Sequence, residues 1–488
     1  MDLYKLQNGS DIRGVAIDGV AGEEVNFPIH AAEVIAGGFL LWLREEKGIS
    51  SPVVSVGTDS RITSPDIALA AIRGLNGEGA KKVYYFGLAS TPAMFVSTKE
   101  DTLNVDGAIM ISASHLPFNR NGMKFFTKPG GVDKNDIKAI LKHAETLLEK
   151  KYDDQSCEKV DFISDYSDIL VNIIRTQTNS EKPLEGLKII VDAGGGSGGF
   201  FADKVLEVLG ADTTGSVYTE PDGYFKGHVP NPENDEVMKG FCEVVKKEKA
   251  DLGVIFDTDV DRSALVDGDG NPISRNKLIA LISDILLKEN PGATIVTDSV
   301  TSRSLAEYIT RRGGVHHRFM RGYNNVIKEG KRLCDEGINC PIAIETSGHC
   351  ALRENDFLDD GAYLIVKLLI NYCNLRKEGL TLSDALSDYE EPKEAKEIRV
   401  KILAEDFKAE GQKAIDSFRD KALSTEGWSL EEPNYEGVRV NVPGGWILMR
   451  LSLHDPVLPI NIETEEDGLL GKIEGEIKEF LKDFDMAL

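Results

Sequence analysis

The chain is punctuated by short apolar runs that each stop at a glycine or a small polar cluster and give way to an amphipathic stretch. Val53–Val56 stops at Gly57-Thr58-Asp59, Lys82–Phe86 at Gly87, and Ala108–Ile111 at Ser112-Ala113-Ser114. Lys188–Val191 stops at Asp192-Ala193-Gly194-Gly195-Gly196 and Leu252–Phe256 at Asp257, while Thr294–Val296 and Pro341–Ile344 repeat the pattern. Runs of this length suit buried strands. Their alternation with helices of about 10–15 residues implies parallel sheets covered by helices on both faces. In such sheets reactive and binding groups collect beyond the carboxyl ends of the strands, so the polar motifs at the run ends are the first candidates for a site.

At 488 residues the chain exceeds one domain. Charged or turn-rich stretches at Glu149–Lys159, Thr178–Glu185, Lys288–Ala293 and Tyr389–Lys396 mark boundaries. From about Glu397 the texture changes to β-like runs at Gly437–Val442 and Trp446–Ser452 and a terminal helix. These features predict three similar α/β domains with mixed or parallel sheets, at residues 1–165, 166–291 and 292–395, followed by an α+β domain at 396–488.

Charge narrows the partners. Lys plus Arg number 56 against 81 Asp plus Glu, a formal charge of −25, which disfavours nucleic acid and anionic membranes. It does not disfavour a small anion in a cleft where cations are concentrated. The six cysteines (157, 242, 334, 340, 350, 373) form no CxxC and no regular spacing, and read as free thiols of a reducing compartment. No basic-then-apolar leader and no run of 18 apolar residues occurs; the expectation is a cytoplasmic protein.

Asp257-Thr258-Asp259-Val260-Asp261-Arg262 sets three carboxylates at alternate positions where a strand ends. They can converge on a hard cation such as Mg²⁺ or form a solvated acidic turn. An EF-hand is excluded, because no glycine sits at loop position 6 and no Glu at position 12. Ser114-His115 places a hydroxyl beside an imidazole after a buried run, with Asn119, Asn121, Gly122 and Lys124 following. This is a nucleophile if a base or metal activates it, or else a helix cap; it is not the Gly-x-Ser-x-Gly elbow of hydrolases. Glu345-Thr346-Ser347-Gly348-His349 offers acceptors, hydroxyls and an imidazole suited to sugar hydroxyls, or again a cap. Arg450-Leu451-Ser452-Leu453-His454-Asp455-Pro456 offers a guanidinium fork and a hydroxyl suited to phosphate, or a surface turn. Gly194–Gly199 is neither a dinucleotide fingerprint nor a Walker A loop and reads as a tight strand-to-helix turn.

Taken in order, these segments resemble the α-D-phosphohexomutase superfamily of phosphoglucomutases, phosphomannomutases and phosphoglucosamine mutases. The resemblance rests on Gly9-Ser10-Asp11-Ile12-Arg13-Gly14, Gly57-Thr58-Asp59-Ser60-Arg61, Ser112-Ala113-Ser114-His115-Leu116-Pro117 and Asn121-Gly122-Met123-Lys124. It continues through Pro221-Asp222-Gly223-Tyr224-Phe225 with His228, Pro230, Asn231 and Pro232, through the three aspartates with Arg262, and through Glu345–His349 with Asp359-Asp360-Gly361. It implies four domains arranged in a heart shape around one cleft, Mg²⁺ as cofactor, and a monomer or dimer acting on hexose phosphates. Ser114 would carry a phosphoryl group, with Mg²⁺ on that phosphate and on Asp257, Asp259 and Asp261. Arg13, Arg61, His115 and Lys124 would surround the transfer, Lys124 as general acid or base. Arg262, Arg321, Glu345, Thr346, Ser347 and His349 would bind the sugar, and Arg450, Ser452 and His454 its distal phosphate.

Two loops depart from the family pattern. Leu116 stands where the family usually has Asn, and Leu453, His454 and Asp455 replace the usual residues before Pro456. An altered phosphate grip favours release of a bisphosphate intermediate. The phosphate loop also resembles that of a branch of the family that makes glucose 1,6-bisphosphate, and this resemblance implies, as the leading expectation, a glucose-1,6-bisphosphate synthase drawing phosphate from a sugar bisphosphate such as fructose 1,6-bisphosphate. The alternatives are a phosphoglucomutase/phosphomannomutase and a non-catalytic sugar-phosphate-binding protein.

Overall fold

The structure, a computed structural model, describes residues 1–452 and 455–487. The chain forms two compact units. One comprises Met1–Leu278 with Ser347–Asp384, the other Ile279–Thr346 with Ala385–Leu488.

In the first unit the amino-terminal region is built on a mixed sheet. Val53–Thr58 pairs in parallel with Lys82–Leu88 and Gly107–Ile111, and Arg120–Thr127 lies antiparallel to Gly107–Ile111 and to Asp11–Val15. All six residues of Val53–Thr58 are buried, as a central strand covered on both faces requires. Helices Ile29–Glu45 and Ser64–Gly77 cross so closely that a Cβ on Gly74 would lie 1.9 Å from the Glu33 carbonyl oxygen. Asp133 and Asp136 form a capping box that starts Lys134–Glu145. Trp42, Phe39 and Phe125 anchor the core between these helices and the sheet.

A second, smaller sheet follows. Ile189–Asp192 runs parallel to Leu252–Phe256, which turns back antiparallel through Ser263–Asp267 to Pro272–Ile273. The glycine-rich turn after Ile189–Asp192 leads into a short π-helical stretch, Phe201–Leu206. The segment Ser347–Asp384 completes the unit with an antiparallel pair, Cys350–Leu352 and Leu358–Asp359, and helix Gly361–Lys377. The Tyr166 hydroxyl donates to Asp360, the cap of that helix, at 2.7 Å.

The second unit holds three parallel strands, with Thr294–Thr297 between Val315–Arg318 and Ile342–Ile344. It also holds the carboxyl-terminal sheet, in which Val438–Val442, Gly445–Met449, Val457–Thr464 and Glu394–Ile402 are successive antiparallel neighbours. Helices Phe407–Ser424 and Leu469–Leu481 cover it around Phe418 and Ile460. Three α/β regions with mixed sheets and a β-rich carboxyl-terminal domain are thus present. The stretch expected to be a boundary, Tyr389–Lys396, already carries the start of the strand at Glu394. Among the described residues no helix is long and apolar enough to cross a membrane, and the six cysteines are free.

Candidate active site

Within the first unit, three strand ends meet at Ser114. The residue follows strand Gly107–Ile111 and takes the left-handed conformation, φ +51°, which costs a residue with a Cβ backbone strain. The turn is held from below by Arg61, buried at the end of the neighbouring strand. Its Nη2 donates to the carbonyls of Ser114 and, at 2.6 Å, Leu116. Nη1 donates to those of Pro117 and Arg120 at 2.7 and 3.0 Å, and Nε to Asp59 at 3.1 Å. A guanidinium has five N–H donors, and all five are engaged here. Arg61, expected to surround the transferring group, uses its donors on the serine loop and on Asp59 and so fixes the shape of that loop.

The Ser114 hydroxyl donates to Asp257 at 2.8 Å, and Arg262 Nη2 lies 3.2 Å from the same oxygen. The loop from Asp257 to Arg262 is closed by mutual hydrogen bonds of its two ends and passes through Val260 at φ +68°, an unusual conformation for a β-branched residue. The loop turns Asp257, Asp259 and Asp261 inward, with carboxylate oxygens within 4.8 Å of one another. Lys124, from the strand beside the serine, bridges Asp259 at 2.7 Å and Asp261 at 2.6 Å. Burial and the neighbouring charges of Asp261 and Asp259 raise the Asp257 carboxyl. Burial also pushes Asp261 up, but Lys124, His349 and Arg262 outweigh it and hold the group below the ordinary range. For Lys124 burial pulls down and the two aspartates more than offset it, so the side chain is an ammonium. His115, 3.4 Å from the Ser114 hydroxyl, is pushed down to about 2 by burial and by Arg262 and Arg13, and stays a neutral imidazole.

Three convergent carboxylates are the donor set a hard divalent cation takes. Asp259 Oδ1 and Asp261 Oδ1 are both buried with no hydrogen-bond donor, the condition a metal ligand leaves behind. The residues present therefore fit a cation such as Mg²⁺.

The other predicted residues divide between the units. His349 is bridged by its backbone to Arg262, and its Nδ1 lies 2.6 Å from Asp359 and 3.8 Å from Asp261. Burial lowers it, but the two carboxylates outweigh that and raise it to about 9. Ser347 is buried in the same unit, and Arg13 pairs with Asp11 at 2.9 Å. In the second unit Glu345 accepts from the Gly322 amide at 2.6 Å and Thr346 donates to Asp298 at 2.8 Å. Arg321 and Arg450 each lie 3.7 Å from the Glu397 carboxylate, and Arg450 lies 3.6 Å from Glu436. The Ser452 hydroxyl accepts the Asp455 amide at 3.3 Å. His454 lies outside the described residues. Asp59, Thr91 (which donates to Asp259 at 2.5 Å), Asp359, Glu397 and Glu436 belong to these networks too. Of these, Asp59 and Asp359 stood inside the quoted motifs; the others carried no local signal.

Three stretches match successive domains of one family: residues 5–151 match "Phosphoglucomutase/phosphomannomutase, alpha/beta/alpha domain I", 164–270 domain II and 274–391 domain III. The chain belongs to the phosphoglucomutase/phosphomannomutase family. It is 30% identical to a phosphomannomutase/phosphoglucomutase of Pseudomonas aeruginosa over 482 residues, 98% of this chain and 96% of that protein. It is 29% identical to a phosphoglucomutase/phosphomannomutase of Thermococcus kodakarensis, covering 92% and 94%. A crystal structure of a phosphoglucomutase/phosphomannomutase family protein from Burkholderia thailandensis superposes with a TM-score of 0.78 at 26% identity, over 97% of this chain and 96% of that one. The open form of a Paramecium phosphoglucomutase gives 0.72 at 16% identity, over 93% and 92%, a likeness of fold. The chain is thus an enzyme of the phosphohexomutase family.

Proposed function

We propose that the enzyme moves a phosphoryl group between the 1- and 6-positions of a hexose phosphate, with Ser114 carrying the group between transfers. The observation that supports this reading is the seat of Ser114, whose hydroxyl faces Asp257 at 2.8 Å on a turn fixed by Arg61, with Lys124 and Arg262 close by. Phosphoryl transfer asks chiefly for in-line placement and charge neutralisation. Mg²⁺ held by Asp257, Asp259 and Asp261 supplies neutralisation of the phosphoryl oxygens when bound. Arg262 and Lys124 add fixed cations from this chain. In one half-reaction the bond from phosphorus to Ser114 Oγ breaks and a bond to the sugar hydroxyl forms, giving a bisphosphate. In the other, the bisphosphate presents its opposite end, the bond from that phosphorus to the sugar oxygen breaks and a bond to Ser114 Oγ forms, so the substrate's original phosphoryl group recharges the serine. Each transfer exchanges one phosphoryl group for one hydroxyl proton, and Lys124 is assigned to relay it. Glu345, Thr346, Ser347, His349 and Arg321 are assigned to the sugar, and Arg450, Ser452 and His454 to its distal phosphate.

A second reading rests on the sequence Leu453-His454-Asp455 in the phosphate loop: a looser grip lets the bisphosphate depart, making the enzyme a glucose-1,6-bisphosphate synthase. One assay separates the two. With glucose 1-phosphate and fructose 1,6-bisphosphate supplied, accumulating glucose 1,6-bisphosphate supports the synthase. Glucose 6-phosphate formed with only catalytic bisphosphate supports the mutase. For either reading, mass spectrometry is expected to find about 80 Da added at Ser114, the mass of a phosphoryl group; its absence from protein exposed to a sugar bisphosphate overturns both.

A further inference from the structure

The glycine-rich turn Gly194–Gly199 and the aromatic stretch from Tyr218 to Pro232 have no part in the chemistry above, yet both lie against it. Gly194 and Gly195 sit at φ +56° and +69°. A Cβ on Gly194 would come within 2.6 Å of Pro230, and one on Gly196 within 2.5 Å of the Thr258 carbonyl oxygen in the aspartate loop. The Ser197 amide donates to that same carbonyl at 2.7 Å. The aromatic stretch is tied down at this turn: the Gly195 amide donates to the Tyr218 carbonyl and the Asp222 amide to the Gly195 carbonyl, both at 2.8 Å. His228, edge-on to Tyr218, reaches the Asp192 carboxylate at 2.9 Å.

From that anchorage the stretch crosses to the serine side. A Cβ on Gly223 would lie 2.5 Å from the Ile62 amide nitrogen, Tyr224 packs on Phe118 with ring centroids 5.5 Å apart, and Phe225 sits 5.0 Å beneath the Arg61 guanidinium carbon. With all five donors of Arg61 engaged at the edge of the guanidinium plane, its faces are what remain, and an aromatic ring is suited to cover one. Phe225 does so from φ +51°, a strained conformation for an aromatic residue.

We propose that this stretch is a clamp linking the aspartate loop to the serine loop, and that Phe225 is a positioning residue that holds Ser114 in register through Arg61. The proposal rests on the reading of Ser114 as the phosphoryl carrier. Three variants separate its parts: Phe225→Ala removes the ring, Phe225→Gly removes it while accepting the left-handed backbone without strain, and Phe225→Tyr keeps it. Hydrogen exchange of peptides covering residues 112–120 is expected to quicken about tenfold in the Ala and Gly variants, the scale of one cation–π contact. Exchange outside residues 112–120 and the substituted stretch 218–232 should be unchanged, and the Tyr variant should match wild type. The rate at which glucose 1,6-bisphosphate phosphorylates Ser114 should fall in the same two variants, with kcat reduced and KM for glucose 1-phosphate unchanged. Unaltered exchange at 112–120 in both the Ala and Gly variants, or acceleration spread evenly over the chain, overturns the clamp. If wild-type Ser114 never gains a phosphoryl group, the carrier reading falls instead, and the exchange data alone decide the clamp.

Discussion

Removing the charge of Lys124 tests the electrostatic logic of the site most directly. Its ammonium lies 2.7 Å from Asp259 and 2.6 Å from Asp261, all three groups buried. Lys124→Met preserves the bulk of the stem and leaves two enclosed carboxylates without a counter-charge. Breaking a buried ion pair from one side costs about 3–5 kcal/mol, a large part of the about 5–15 kcal/mol that holds a domain folded. A divalent cation at the aspartates restores much of this, since a ligand at 100 times its Kd adds about 2.7 kcal/mol to the native state. In wild type the ammonium already neutralises the cluster, so the gain from metal is smaller. The assay is urea denaturation at about pH 8, where free carboxylates are ionised, in chelator and in excess MgCl₂. We expect the variant to be about 3–5 kcal/mol less stable in chelator, with the gap narrowing by about 2 kcal/mol or more in Mg²⁺. A variant within about 1 kcal/mol of wild type in chelator would refute the reasoning, since an exposed pair contributes no more than that; so would a gap that Mg²⁺ leaves unchanged.

Three further expectations concern the scaffold. Gly74→Ala drives a methyl group to 1.9 Å from the Glu33 carbonyl oxygen and should lower stability by about 1–3 kcal/mol, read as a fall in the denaturation midpoint. Arg439, buried 3.5 Å over the Trp446 ring and bonded to Glu431 and the carbonyls of Ser299 and Thr301, should not tolerate Met; we expect a loss of about 3–5 kcal/mol in unfolding followed by tryptophan fluorescence. His316 accepts or donates to Thr297 at 2.8 Å, and burial with Arg318, Arg439 and His317 nearby holds it well below its usual value. Because its folded value is depressed, the stability it contributes is complete above the unfolded value of about 6.5 and declines as pH falls below it. Wild type should therefore lose about 1 kcal/mol over the next pH unit, and His316→Gln should flatten that part of the profile.

The reach of the sequence can be judged residue by residue. Strand ends were legible because apolar runs and their polar stops are local, and the spacing of Asp257, Asp259 and Asp261 carried its chemistry within five residues. Ser114 and Lys124 drew notice for the same reason: both belong to one strand–turn–strand segment, Gly107–Thr127. Thr91, Glu397 and Glu436 were not, because each reaches its partner across distant chain and nothing beside it marks the meeting. Glu394 was hidden by its surroundings, since Tyr389–Lys396 is as charged as a linker while its latter part forms the beginning of a sheet-edge pairing with Val457–Thr464. The engagement of Arg61 was not legible, because a motif shows which residue is present and not how many of its donors are already taken.

That engagement bears on the one departure within the serine loop. Arg61 takes the oxygens of Ser114, Leu116, Pro117 and Arg120, which are main-chain atoms that every amino acid possesses. The turn is thus recognised by its path and is indifferent to what hangs from it at position 116. A leucine in place of an amide costs the loop none of these contacts, and that position is free to vary while the serine two residues before it stays where it is.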